Sequence, residues 1–121
     1  MEDEVRYFAF ILIGLLFIAG CQTYPRESVD NFAKCLTEKG AVMYGTFWCP
    51  HCANVKKEFG ESFRYIKYIE CDPRGDNEQS ELCIEKGIEA YATFEFTDGS
   101  RLVGEPGFEE LSSKTGCEVP V

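Results

Sequence analysis

Apolar and polar positions along the chain divide it into segments with two different periods. Ser28 reads as an N-cap, followed by Val29, Phe32, Ala33 and Leu36 at helical spacing, with Gly40 as a stop. Residues 41–47 form an apolar run that suits a buried strand. From Pro50 a helical face carries Cys52, Val55 and Phe59, with Lys56 and Lys57 outside it and Gly60 as its end. Residues 65–71 alternate, with Tyr65, Lys67 and Ile69 set against Ile66 and Tyr68, which predicts a second strand. The turn chemistry of 72–77 follows, and Asn77 is expected to cap a short helix through Lys86, with Gln79, Leu82 and Cys83 on one face and Gly87 as its stop. Residues 92–97 are strand-like, Asp98-Gly99 marks a hairpin, and 101–103 return. A last helix is expected over 107–115 through Phe108 and Leu111, stopped by Gly116. The order is helix, strand, helix, strand, helix, strand, strand, helix.

Ahead of these elements the pattern changes. After a polar, mostly acidic start, residues 7–20 are an apolar run of 14, ending at Cys21. That is short for a membrane span of about 20 residues and fits the core of a signal peptide. Ile18-Ala19-Gly20-Cys21 resembles a lipoprotein lipobox, in which the cysteine is lipidated and becomes the new N-terminus. The n-region departs from that pattern, with Arg6 as its single base, so an uncleaved membrane anchor is the alternative and a buried helix a third. The expected organisation is a signal peptide or anchor over 1–21, a linker over 22–27 and one domain over 28–121. Either leading version places the domain on the extracytoplasmic face of the cell membrane.

Composition narrows the picture. With 45% hydrophobic residues, the chain can build a core. A formal net charge of -9 leaves no basic stripe to neutralise phosphates, which argues against nucleic acid; a solvated acidic surface is the simplest reading. Seven cysteines in 121 residues point away from a reducing cytosol.

The candidate chemistry lies in Phe47-Trp48-Cys49-Pro50-His51-Cys52. Pro50 suits a first helical position, where its missing N–H has no partner to lose. Cys49 then stands at the N-cap, where free N–H groups and the helix dipole favour a thiolate, and His51 can add a cation or donor. These effects are expected to lower the pKa of Cys49 and leave it solvent-exposed as the attacking sulfur, with Cys52 pointing inward as its resolving partner. Zinc is the competing reading of such a pair. Structural zinc usually wants a second close pair or two histidines, whereas Cys21, Cys35, Cys71, Cys83 and Cys117 form no second CxxC and His51 is the single histidine. Neither a metal nor another cofactor is expected.

Strand, CxxC and helix in this order resemble the thioredoxin fold, an α/β architecture with a central mixed four-stranded sheet flanked by helices. A closer likeness covers residues 32–117. Ala41-Val42-Met43-Tyr44-Gly45-Thr46-Phe47-Trp48-Cys49-Pro50-His51-Cys52, Glu70-Cys71-Asp72-Pro73 and Glu81-Leu82-Cys83 look like the thioredoxin-like domain fused to vitamin K epoxide reductase homologues in bacteria and plants. The resemblance implies disulfide exchange with secreted protein thiols and with a quinone-coupled membrane partner. Pro-His between the cysteines resembles the active site of DsbA, which favours a disulfide-donating oxidase; isomerase or reductase activity, or a tethered binding module braced by its disulfides, are the alternatives. Trp48, Pro50, Tyr91 and Ala92 are the positions expected to meet substrate.

The same resemblance implies a Cys71–Cys83 pair clamping the strand-to-helix loop. Six cysteines allow 15 pairings. A Cys35–Cys117 bridge, fastening the first helix to the C-terminal end, is expected for the two left over, with free buried thiols as the alternative. Two departures from the wider fold stand out. Ala92 occupies the place of the usual cis-proline, and because a cis bond before a non-proline costs about 2.5–4 kcal/mol, a trans Tyr91–Ala92 bond or a strained loop is expected. Met43 stands where cytoplasmic thioredoxins bury an acid, so a carboxylate is not available there for proton handling.

Overall fold

The computed structural model describes residues 23–121. The signal or anchor assigned to 1–21 and the lipidation assigned to Cys21 lie outside the described residues. Helix α1 (Arg26–Glu38) turns Val29, Phe32, Ala33 and Leu36 inward. It begins two residues before the expected Ser28 cap. The Pro25 carbonyl accepts from the Ser28 and Val29 amides, and Ser28 Oγ donates back to the same oxygen at 2.8 Å. Ser28 is therefore inside the first turn, and Pro25 stands at the N-cap without a side-chain bond.

Strand β1 (Val42–Gly45) leads to α2 (Pro50–Phe59), whose end at Gly60 has φ 58°. The chain does not extend directly into a strand there. Gly60–Tyr65 is a 3₁₀ helix, and β2 is confined to Tyr68–Glu70. The expected strand over 65–71 is shortened because α1 holds part of its backbone: Thr37 Oγ1 donates to the Tyr65 carbonyl at 2.6 Å and accepts the Lys67 amide at 3.3 Å. Helix α3 (Ser80–Glu85) starts later than expected. Asn77 has a left-handed φ of 54°, so it belongs to the turn and cannot cap a helix beginning beside it. Strands β3 (Thr93–Glu95) and β4 (Arg101–Val103) make the hairpin, and α4 (Phe108–Thr115) ends at Gly116 in the left-handed region.

The sheet order is β2-β1-β3-β4, with β1 and β2 parallel and the other pairs antiparallel. Its register alternates two faces along β1. Met43 shares its face with Phe94 and packs under α1, α2 and α4, while Tyr44 and Ile69 face α3 with Cys71 and Cys83. Phe32, Phe59 and Phe108 bring the three helices of the first face together, their ring centroids 5.0–6.2 Å apart. Contacts of this kind add about 0.5–1.5 kcal/mol each beyond burial. Two disulfides staple the frame: Cys35 to Cys117, joining α1 to the C-terminal segment, and Cys71 to Cys83, joining the end of β2 to α3.

The Tyr91–Ala92 bond is cis, which corrects the trans expectation. Tertiary context rather than residue type sets it. Ala92 is fully buried, its carbonyl accepts the Gly104 amide at 2.8 Å, and Thr93 Oγ1 donates to the Ala90 carbonyl at 2.7 Å, so both flanks of the bond are fixed.

Candidate dithiol site

β1 ends at Gly45, and the chain turns outward through Phe47 and Trp48, both more than half exposed, before α2 begins. Cys49 is the N-cap of α2, and Pro50 follows as its first helical residue. The Cys52 amide donates to Cys49 Sγ at 3.4 Å. One of the orphan N–H groups of the helix start is thus spent on the sulfur. Cys49 and Cys52 are the unbridged pair among the described cysteines.

Both thiols are more enclosed than the sequence suggests. Cys52 is fully buried, as an inward-facing partner should be, but Cys49 is also only 4% exposed, which corrects the expectation of an open sulfur. A side chain that folds back over the first turn to accept an amide gives up its own contact with water. Phe47, Trp48, Pro50 and His51 on either side are all exposed, so the Cys49 thiol lies directly beneath the surface. Burial pushes the Cys52 thiol up to about 12, opposed by a backbone hydrogen bond at Thr46 and reinforced by Cys49. Cys52 therefore holds its proton at neutral pH.

His51 does not turn to the sulfur with its Nδ1. That atom meets Glu105 Oε2 at 3.0 Å, on the segment between β4 and α4. The Glu105 carboxyl is held below its usual range, first by His51 and then by Asn54. The other flank is organised by Asp72. Trp48 Nε1 donates to Asp72 Oδ2 at 2.6 Å, and Arg74 donates to both oxygens of the same carboxylate through Nε and Nη2. Arg74 also lies over the Phe47 ring. Tyr91 meets Trp48 edge-on, centroids 6.2 Å apart, which brings the Tyr91–Ala92 loop to the dithiol; Ala92 shares the buried cluster of Cys49 and Cys52.

The structure thus gathers Trp48, Cys49, Pro50, His51, Cys52, Tyr91 and Ala92 into one site. Cys71–Cys83 borders it by fixing the strand that leads into the Asp72 loop, whereas Cys35–Cys117 braces α1 against the C-terminal segment. Sequence reasoning missed Asp72, Arg74 and Glu105. They come from turns and a connecting segment, and nothing in their local pattern marks them as partners of residues 24 and 54 positions away.

A mixed four-stranded sheet flanked by helices, with this dithiol at the start of the helix after its central strand, is a thioredoxin-like fold. Among curated proteins the chain is similar to one from Arabidopsis thaliana named thiol-disulfide oxidoreductase LTO1. The two are 39% identical in an alignment 88 residues long that covers 69% of this chain and 23% of the relative, so the chain spans less than a quarter of that protein's length. No family model matches the chain.

Proposed function

We propose that this chain is a protein thiol–disulfide oxidoreductase that donates disulfides to extracytoplasmic proteins. The observation that carries the reading is the asymmetry of the pair. Cys49 Sγ sits on the helix N-terminus and accepts an amide, while Cys52 behind it is buried and protonated. Attack by a substrate thiolate on Cys49 of the Cys49–Cys52 disulfide gives a mixed disulfide and releases Cys52 as a thiolate, which takes a proton. A second substrate thiolate then displaces Cys49. The substrate leaves oxidised, and the protein holds two thiols.

The N-cap position favours Cys49 as the leaving sulfur and stabilises the reduced form, which makes the disulfide a stronger oxidant. Phe47, Trp48 and Tyr91 offer an apolar surface beside it for the substrate chain. A membrane-embedded reductase of the vitamin K epoxide reductase type is the proposed acceptor of the two electrons and two protons, passing them to a quinone. A tether at Cys21, by lipid or through an uncleaved N-terminal segment, would keep the two together on the extracytoplasmic face. The likeness to a plant protein named for thiol–disulfide chemistry supports the redox reading.

The test is Cys52→Ser in the full chain. Mixed disulfides through Cys49 with secreted proteins and with the membrane partner are expected to accumulate, and their absence would leave only a braced binding module. A reduction potential nearer about -120 mV than about -270 mV is expected for an oxidase; the opposite result would make the protein a reductase.

A further inference from the structure

We propose that Glu70, acting through the hydroxyl of Tyr68, takes the proton that Cys52 gives up when it resolves a mixed disulfide. The inference rests on the oxidoreductase reading and adds a proton acceptor that the cysteine motif does not contain.

The parallel register pairs Met43 with Tyr68 and Gly45 with Glu70, which puts these four positions on the sheet face beneath α2. Gly45 has no side chain, and its space is filled. A Cβ there would lie 2.5 Å from Cys52 Sγ, 3.2 Å from the Tyr68 ring and 3.5 Å from the Tyr68 hydroxyl. The sulfur and the phenol oxygen therefore face each other across the room a methyl group would take. That phenol oxygen is buried and has no hydrogen-bond partner. Burial raises the Tyr68 hydroxyl above its ordinary value, and charge on Glu70 and on Cys52 raises it further, so both groups are felt at the one oxygen.

Glu70 is itself a buried acid, 5% exposed. Its Oε2 accepts the Asp72 amide at 3.2 Å, and its other oxygen points at Gly75, where a Cβ would fall 2.7 Å away. Among the described residues no cation pairs with it. The guanidinium of Arg74, on the loop that follows Glu70, is committed to Asp72. The other charged or titratable groups around the route are Cys49 and Lys56 from α2, with Lys56 Nζ 4.3 Å from the centroid of the Tyr68 ring, and Asp72 from the loop after β2. Packing alone does not call for a buried acid with no cation beside it. Proton transfer does. The phenol can donate and accept at once, which suits it to stand between a thiol and a carboxylate.

The step balances. In the mixed disulfide, Cys52 Sγ–H passes its proton to the Tyr68 oxygen as the Tyr68 proton moves to Glu70. Cys52 Sγ bonds to Cys49 Sγ, the bond from Cys49 to the substrate sulfur breaks, and the substrate leaves as a thiolate. In the donating direction each transfer reverses.

Stopped-flow mixing of reduced protein with 5,5′-dithiobis(2-nitrobenzoate) separates the two sulfurs. The first release of thionitrobenzoate reports Cys49, and the second reports attack by Cys52 on the mixed disulfide. Glu70→Gln and Tyr68→Phe are each expected to slow the second phase about tenfold or more at neutral pH and to change its pH profile, leaving the first phase intact. The double variant should be no slower than either single one, because both interrupt one route. A second phase within about twofold of the parent, with the same pH profile, in folded Tyr68→Phe would overturn the relay; this variant removes only an oxygen and decides the matter if Glu70→Gln fails to fold. Failure of the parent protein to give two phases would instead overturn the oxidoreductase reading.

Discussion

The Trp48 indole donates to the Asp72 carboxylate at 2.6 Å, tying the residue before Cys49 to the loop held by the Cys71–Cys83 disulfide. The bond matters because Trp48 is more than half exposed and has little packing to fix it. Arg74 completes the clamp by neutralising Asp72 from the other side and covering Phe47.

The clamp should resist acid. Arg74 first, and then the Arg74 backbone amide and Trp48, hold the Asp72 carboxyl well below the usual carboxylate range. A depressed folded value means that the contribution to stability is present above the unfolded value, about 4, and is lost only as pH falls through the lower folded one. Trp48 is the single tryptophan, so its emission reads the clamp directly. Emission is expected to stay flat from neutral pH to about 4 and to change below that. Asp72→Asn should shift the emission already at neutral pH. A titration of Trp48 emission centred near 4 would contradict this.

Cys52 makes an opposite prediction at the alkaline end. Its folded value is raised to about 12, so the reduced protein keeps a proton there that the unfolded chain loses near 9. Stability from this source is complete below about 9 and is lost as pH rises toward the folded value. The reduced protein should therefore lose thermal stability across that window, and Cys52→Ala should lessen the loss. In the disulfide form Cys52 does not titrate, and this contribution to the slope should be absent. Thermal melts of the three samples check it.

Alkylation follows the same asymmetry. Iodoacetamide at neutral pH is expected to modify Cys49, which lies beneath exposed neighbours on both sides, well before Cys52, which is fully buried and protonated. Peptide mapping of briefly treated, reduced protein gives the order. Equal labelling of both would show that the pair opens together.

Gly45→Ala tests how tightly the dithiol sits on the sheet. The new methyl would come within 2.5 Å of Cys52 Sγ and 3.2 Å of the Tyr68 ring, so one of them must move. A destabilisation of about 1–3 kcal/mol is expected from overpacking, with faster alkylation of Cys52 as the sulfur is displaced. Urea unfolding and the alkylation rate measure the two effects.

The disulfides should differ in worth because they close loops of different length. Cys35–Cys117 spans 82 residues and Cys71–Cys83 spans 12. In the chain-entropy model the first is worth about 4–5 kcal/mol and the second about 3. Replacing each pair by serines and unfolding the protein in urea should rank them in that order.

Local pattern by itself determined which segments become helix and strand, and the CxxC after an apolar strand marked the redox pair. These features are written in spacings of two, three and four residues, and a chain obeys them before it folds. The pattern erred where another group took over the backbone. Thr37 holds the chain that would have begun β2 early, Pro25 starts the helix that Ser28 was expected to cap, and the buried flanks of Ala92 hold a cis bond where residue type argued for trans. Tertiary structure alone decided how far Cys49 is covered, that His51 looks to Glu105, and that Asp72 holds Trp48. Each of the last two is a contact between side chains from separate parts of the chain. It exists only once hydrophobic burial has brought those parts into register.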